Sequence, residues 1–306
     1  MTRGMQLCIY HRSDLDGIGS AAVIRRVKPG IQICGWNYSE PRPVPLEHLL
    51  NEEKRHPGSC SLILVDLSFN PEEMLLLKEC LGDRFLWLDH HKTAIENSVK
   101  HGYDDLAGSR GTGLAAIQHA HLFFTDILWE QSLTEGVQLL GDYDSWKNED
   151  AEYWENKVLP YQWGMRFLAK GSVDECLRQL LCPVSEVMSI GATIYSYEKD
   201  IASMFMKSRA FSIQFEGLKF LCFNGSGNSN TFNSRFNTTL WDACMIFGFN
   251  GKTRNWVVSM YTTREDLDLT PIAVKYGGGG HAKACGFSTN DIRLITDVIV
   301  TDPDSK

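Results

Sequence analysis

The chain has 306 residues, 43% of them hydrophobic and 22% charged, with a formal net charge of −8. This is globular composition, sized for one large domain or two modest ones, and no apolar run is long enough to span a bilayer. The sparse, dispersed basic residues disfavour long duplex nucleic acid, whose affinity rests on phosphate contacts, but not a short phosphate ester, since bound cations supply positive charge locally.

The N-terminus, MTRGMQLCIYHRSDLDG, is too briefly apolar for a signal peptide. Nine cysteines without a CxxC pair read as reduced thiols of a cytoplasmic protein. LCIY (Leu7–Tyr10) predicts a strand, GIGSAAVIRRV (Gly17–Val27) a helix, and IQICGW (Ile31–Trp36) a second strand that PRPVP then breaks. SLILVD (Ser61–Asp66) is a near-continuous apolar run, as in a strand buried on both faces. PEEMLLLKEC (Pro71–Cys80), with proline and acids in its first turn, predicts a helix, and FLWLD a further strand. Such alternation argues for an α/β domain with a parallel sheet covered by helices. Helical segments follow at 113–124 and 132–140, then a surface loop at NEDAEYWENK (148–157) and a long helix over 185–209. The last third predicts strands at AFSIQF, LKFLCF, ACMIFGF and NWVVSMY, helices over 229–240 and 269–276, the run GGGGHAKACGF and a final helix. The expected organisation is a parallel-sheet domain over 1–184, a connecting helix over 185–210 and a smaller α+β domain over 211–306.

Chemistry gathers at the strand ends. FLWL stops at Asp89, His90 and His91; the first strand runs into His11, Asp14 and Asp16; the third ends at Asp66; and a later helix runs into GDYDSW with Asp142 and Asp144. The carboxyl edge of an open parallel sheet is where ligands bind. Singly, each residue has an ordinary role: Asp16 as a helix cap, Asp66 as a turn residue, His90 or His91 as a surface histidine. Jointly they would repel one another unless divalent cations resolved the cost. Carboxylates and imidazoles without thiolate suit manganese, magnesium, iron or cobalt better than structural zinc. There are more ligands than one ion needs. A two-metal centre with a bridging carboxylate follows, able to hold hydroxide between the ions and polarise a phosphoryl oxygen.

HRSDLDGIGSA, LILVD, LDHH and GDYDSW, with GGGGHAKACGF in the last third, resemble the DHH phosphoesterases, and more narrowly the branch of RecJ-type exonucleases and nano-RNases. The resemblance spans nearly the whole chain. It implies two manganese ions per site, with magnesium or cobalt as alternatives: one held by His11, Asp14 and Asp66, the other by Asp16, Asp66, His90 and Asp142. Asp142 and Asp144 compete for that last place, and Asp142 is preferred because it directly follows the glycine. By the same resemblance Asp89 orients its neighbours, His91 faces the substrate phosphate and His281 reaches the substrate from the C-terminal domain. The chain differs from many relatives on the strand VSMYTT, where Tyr261 stands in place of an arginine.

Two stretches are phosphate-contact candidates in their own right. Gly278, Gly279 and Gly280, followed by His281 and Lys283, can bring backbone amides close to an anion, the alternative being a plain hinge. Arg110 in GSRGTG sits at the start of a helix, where a simple cap explains the stretch equally well. The expected activity is hydrolysis of a short oligonucleotide or small nucleotide: nano-RNA, linear dinucleotides or a nucleoside bisphosphate. Alternatives are a cyclic dinucleotide phosphodiesterase, a pyrophosphatase or polyphosphatase, and a non-catalytic nucleotide- or metal-binding protein. A homodimer is the assembly left open; no membrane partner is expected.

Overall fold

Strands and helices alternate through the first half of the chain. They run β1 (Gln6–His11), α1 (Leu15–Val27), β2 (Gln32–Trp36), α2 (Val44–Arg55), β3 (Ser61–Val65), α3 (Pro71–Leu81), β4 (Phe85–Leu88) and α4 (Lys92–His101). The computed structural model describes residues 4–38, 40–127 and 130–300. The four strands form a parallel sheet in the order β2-β1-β3-β4. Residues alternate between its faces as strand geometry requires. Leu7, Ile9, Leu62 and Leu64 pack with Leu46 and Leu49 of α2 and Met74 and Leu77 of α3. Cys8, Tyr10, Ile63 and Val65 face the other way, onto Ile18 and Ala22 of α1. Both faces are covered, which is why β3 reads as an unbroken apolar run.

The same core takes in α5 (Ala116–Phe123), α6 (Gln131–Asp144), α8 (Leu159–Ala169) and α9 (Val173–Leu180). Between α6 and α8 lie α7 (Ala151–Tyr153) and a π-helical turn at Trp154–Val158. The surface loop expected over 148–157 is thereby corrected: Asp150 caps the segment by accepting from the Tyr153 amide at 3.0 Å, and Trp154 and Val158 are buried. α2 was hidden by its prolines. PRPVP reads as a breaker, yet Pro45 sits in the first turn, where proline starts a helix.

The chain divides into two compact units, Met1–Tyr195 and Ser196–Lys306, the division falling within α10 (Val184–Arg209). The second unit holds β5 (Phe211–Phe215), β6 (Leu218–Asn224), β7 (Ala243–Asn250), β8 (Asn255–Tyr261), α11 (Thr270–Lys275), β9 (Gly279–His281), β10 (Ala284–Thr289), α12 (Arg293–Thr296) and β11 (Ile299–Val300). Its seven strands run in the order β11-β5-β6-β7-β8-β10-β9, antiparallel except for β6 beside β7. The helix expected over 229–240 shrinks to a 3-10 turn at Ser229–Phe232. Asn228 and Asn237 bond to amides two residues on, at 3.0 and 2.9 Å, and these local turns compete with a helix.

One ion pair ties the first unit together. The Glu53 carboxylate, at the end of α2, accepts from both terminal nitrogens of Arg84 at 2.8 and 2.9 Å and from the amides of Gly58 and Cys60. Arg84 holds that carboxyl down to about 2. A carboxylate depressed on folding stabilises above its unfolded pKa of about 4.3 and loses that contribution as pH falls. Glu53→Gln is therefore expected to cost about 3 kcal/mol at neutral pH. Melting curves across pH should show the gap from wild type constant above about pH 5 and closing toward about pH 2. A gap unchanged down to acid pH would show that the charge contributes nothing.

Candidate active site

The carboxyl ends of β1, β3 and β4 bring the site together. His11 closes β1, and Asp14 caps α1, its Oδ1 accepting from the Gly17 amide at 3.0 Å while Oδ2 lies 3.0 Å from His11 Nδ1. Only glycine fits at 17, since a Cβ there would meet the His11 carbonyl oxygen at 1.9 Å. Asp66 follows β3 with φ 59°, a left-handed conformation that aspartate tolerates better than most residues. It is buried, and its two oxygens face different histidines: Oδ2 lies 3.5 Å from His11 Nδ1 and Oδ1 lies 3.3 Å from His90 Nε2.

Asp16 points inward from α1. Its carboxylate accepts from the first two amides of α5, Ala116 at 2.9 Å and Ile117 at 2.8 Å, while Oδ2 lies 3.5 Å from His90 Nε2. Asp89 is fully buried. Its Oδ1 takes the amides of His90 and His91 and the ring Nδ1 of His91, at 2.8, 3.2 and 2.7 Å, and its Oδ2 takes Trp87 Nε1. The 107–111 segment flanks this turn through Asp89 N to Ser109 O and Gly111 N to Asp89 O. His119 braces that segment, bonding Ser109 Oγ and the Gly111 carbonyl at 2.8 Å each.

Asp144, and not Asp142, completes the cluster, correcting the sequence preference. Both lie on α6, and residues two apart on a helix project about 200° apart. Asp144 Oδ2 is 3.4 Å from His90 Nε2. Asp142 turns away, to Gln138, to the Tyr153 hydroxyl at 2.8 Å and to Lys147 at 3.1 Å. Tyr38 is a member that sequence reading missed. Its ring centroid is 5.8 Å from that of His11, and the residue is about half exposed.

Arg110 and Lys283 bond to backbone carbonyls in the structure. Arg110 lies over the Trp87 ring and donates to the carbonyls of Trp87, Asp104 and Leu106. Lys283 Nζ donates to the carbonyls of Arg264, Glu265 and Leu267. Both had been expected to meet phosphate; the three donors of Lys283 and three of the five of Arg110 bond backbone carbonyls. The glycine run is not a loop. Gly279–His281 pair with Ala284–Gly286, and a Cβ at Gly278 or Gly280 would fall 2.0 Å from the Gly286 carbonyl oxygen or 2.7 Å from the Ala284 one. Gly277 closes α11 in the left-handed conformation. The side chain of His281 lies outside the described residues.

Among the described residues, three groups have ligand atoms mutually within 4.8 Å: His11, Asp14 and Asp66; Asp16, His90 and Asp144; and Asp66, His90 and His91. The donor set fits divalent cations. Buried His11 Nδ1 has carboxylate oxygens close by but no aligned hydrogen bond, and Asp16 is pushed well up by burial and by Asp66 and Asp144. Asp144 rises to about 6, chiefly through burial. His11 is lifted to about 10 by Asp14 and Asp66, and His91 to about 9 by Asp89. Burial works against a charge on His90, yet Asp66 and Asp144 still raise it.

No family model matches the chain. Oligoribonuclease NrnB of Bacillus subtilis (strain 168) is 23% identical over 303 residues, covering 92% of this chain and 73% of that protein. Two solved structures share the fold: the pGpG-specific phosphodiesterase PggH from Vibrio cholerae, with TM-score 0.56 and 12% identity over 93% of each chain, and an exopolyphosphatase-related protein from Bacteroides fragilis, with TM-score 0.55 and 8% identity over 96% of this chain and 91% of that one. A parallel sheet gathers aspartates and histidines at its carboxyl edge, and the likeness to a protein named an oligoribonuclease supports a hydrolase of phosphoester bonds. The HRSDLDG, LILVD, LDHH and GDYDSW motifs that meet at that edge are those on which the chain resembles the DHH phosphoesterases. Among the described residues, no helix is long and apolar enough to cross a membrane.

Proposed function

We propose that this chain hydrolyses short nucleotide substrates, such as nano-RNA, linear dinucleotides or nucleoside bisphosphates, with two divalent cations, manganese first among them. The observation that carries the reading is Asp66, whose two oxygens face His11 on one side and His90 on the other, as a carboxylate shared by two ions would. His11, Asp14 and Asp66 would hold one ion; Asp16, Asp66, His90 and Asp144 the other. When bound, such ions supply a nucleophile at neutral pH and polarise a phosphoryl oxygen. The residues around them do the rest. Asp89 fixes the ring of His91 and keeps it charged at neutral pH, so His91 presents a cationic donor to a phosphate oxygen. The α5 amides hold Asp16 in place. The nucleotide substrate class is supported by the likeness to a protein named an oligoribonuclease.

The test is a hydrolysis panel in manganese: RNA of two to eight nucleotides, matched DNA, adenosine 3′,5′-bisphosphate, cyclic dinucleotides and pyrophosphate. The expected result is fastest cleavage of dimers and short oligomers; preference for pyrophosphate would sink the nucleotide reading. Cation loading should also release protons, because Asp14 and Asp66 hold one on His11 at pH 7 in the metal-free protein, and Asp66 and Asp144 favour one on His90 against its burial. Calorimetry in buffers of different ionisation enthalpy is expected to show about one to two protons released per chain at pH 7, with affinity climbing as pH rises. A binding enthalpy independent of buffer would remove these histidines from the ligand set.

A further inference from the structure

Two residues beyond Asp144 stands Trp146, at φ 57°. It occupies the position just past the end of α6, where the chain turns through bonds from Trp146 N to Tyr143 O at 3.2 Å and from Lys147 N to Asp142 O at 2.9 Å. Glycine is favoured there, and bulky aromatics are outliers in that conformation. α4 and α11 use Gly102 and Gly277 at the corresponding places. Lys170 shows that α8 tolerates another residue, so the backbone alone assigns nothing.

The side chain adds the second observation. Trp146 is 50% exposed, although the protein has built a support beneath it. Trp154, delivered by the π-helical turn, meets it edge-on at 5.3 Å and stacks on Tyr143 at 5.7 Å with the rings parallel to 1°. Arg166 lies over the far side of this pile, 5.6 Å from the Tyr143 ring. An aromatic stack thus runs from Tyr143 through Trp154 to a half-exposed indole two residues beyond the aspartate that faces His90. Packing on Trp154 holds that ring, yet half of it stays open to solvent on a backbone that bulky residues rarely adopt.

We propose that Trp146 is a nucleobase-stacking platform, holding one base of a short nucleotide so that its phosphate lies over the ligand cluster. The inference rests on the nucleotide reading above and adds a specificity-determining residue to it. Stacking on an aromatic face tolerates every base, so this subsite would select for the presence of a base and not for its identity.

The test compares wild type, Trp146→Gly and Trp146→Phe in manganese, on 5′-phosphorylated diadenylate and on the same phosphodiester with both bases replaced by hydrogen. Trp146→Gly relieves the backbone and is expected to melt at or above the wild-type temperature, while raising KM for diadenylate roughly 5- to 150-fold with kcat changed far less. Trp146→Phe should keep most of the affinity, and the base-free substrate should be handled equally by all three. An unchanged KM in Trp146→Gly, or the same loss on the base-free substrate, would overturn the platform. If wild type leaves diadenylate intact while hydrolysing pyrophosphate, the nucleotide reading falls and takes this inference with it.

Discussion

Asp66→Asn is expected to lower kcat/KM by about 10³-fold or more, equivalent to roughly 4 kcal/mol of transition-state stabilisation. The size follows from its position. Asp66 is buried among His11, His90 and His91 and turns one oxygen to His11 and the other to His90 and His91. The substitution is nearly isosteric, and asparagine accepts the left-handed backbone that this position demands. Loss of activity should therefore come with an intact melting transition. Steady-state kinetics beside a manganese titration checks this. Retention of most activity with saturating manganese would show that no carboxylate is shared.

Asp144→Asn and Asp142→Asn should separate cleanly, although the two residues are neighbours on one helix. Asp144→Asn is expected to cut turnover by about 10²- to 10³-fold and to reduce the number of manganese ions bound, with little change in stability. Asp142→Asn should do the reverse. Its carboxylate gathers Gln138, Tyr153 and Lys147, so weakening these charge-assisted bonds is expected to cost about 2 kcal/mol while both ions still bind. Thermal melts and ion counting on the two variants distinguish the roles; an ion lost in Asp142→Asn alone would return the ligand role to it.

The sequence showed the N-terminal sheet plainly, because strands buried on both faces leave continuous apolar runs such as LILV and FLWL. It also located the rim, since aspartates and histidines follow directly on those runs. It preferred Asp142, whereas the structure brings Asp144 to His90, because α6 continues through GDYD instead of stopping at Leu140. One more helical turn converts two loop acids into residues on opposite faces. α2 was obscured by prolines whose meaning depends on whether they begin or interrupt a helix. Arg110 and Lys283 looked like phosphate ligands because a cation near glycines has that meaning locally; carbonyls brought in by tertiary folding claimed their donors. In the glycine run, composition suggested freedom, whereas the close pairing of β9 with β10 is what requires glycine at 278 and 280.

The hold of α5 on Asp16 bears on the cost of the site. Gathering acids at one point is costly, and here part of that cost is met by peptide dipoles at a helix start as the chain folds. That share of the cost is offset by the polypeptide itself, through two amides that the fold aims at one buried carboxylate.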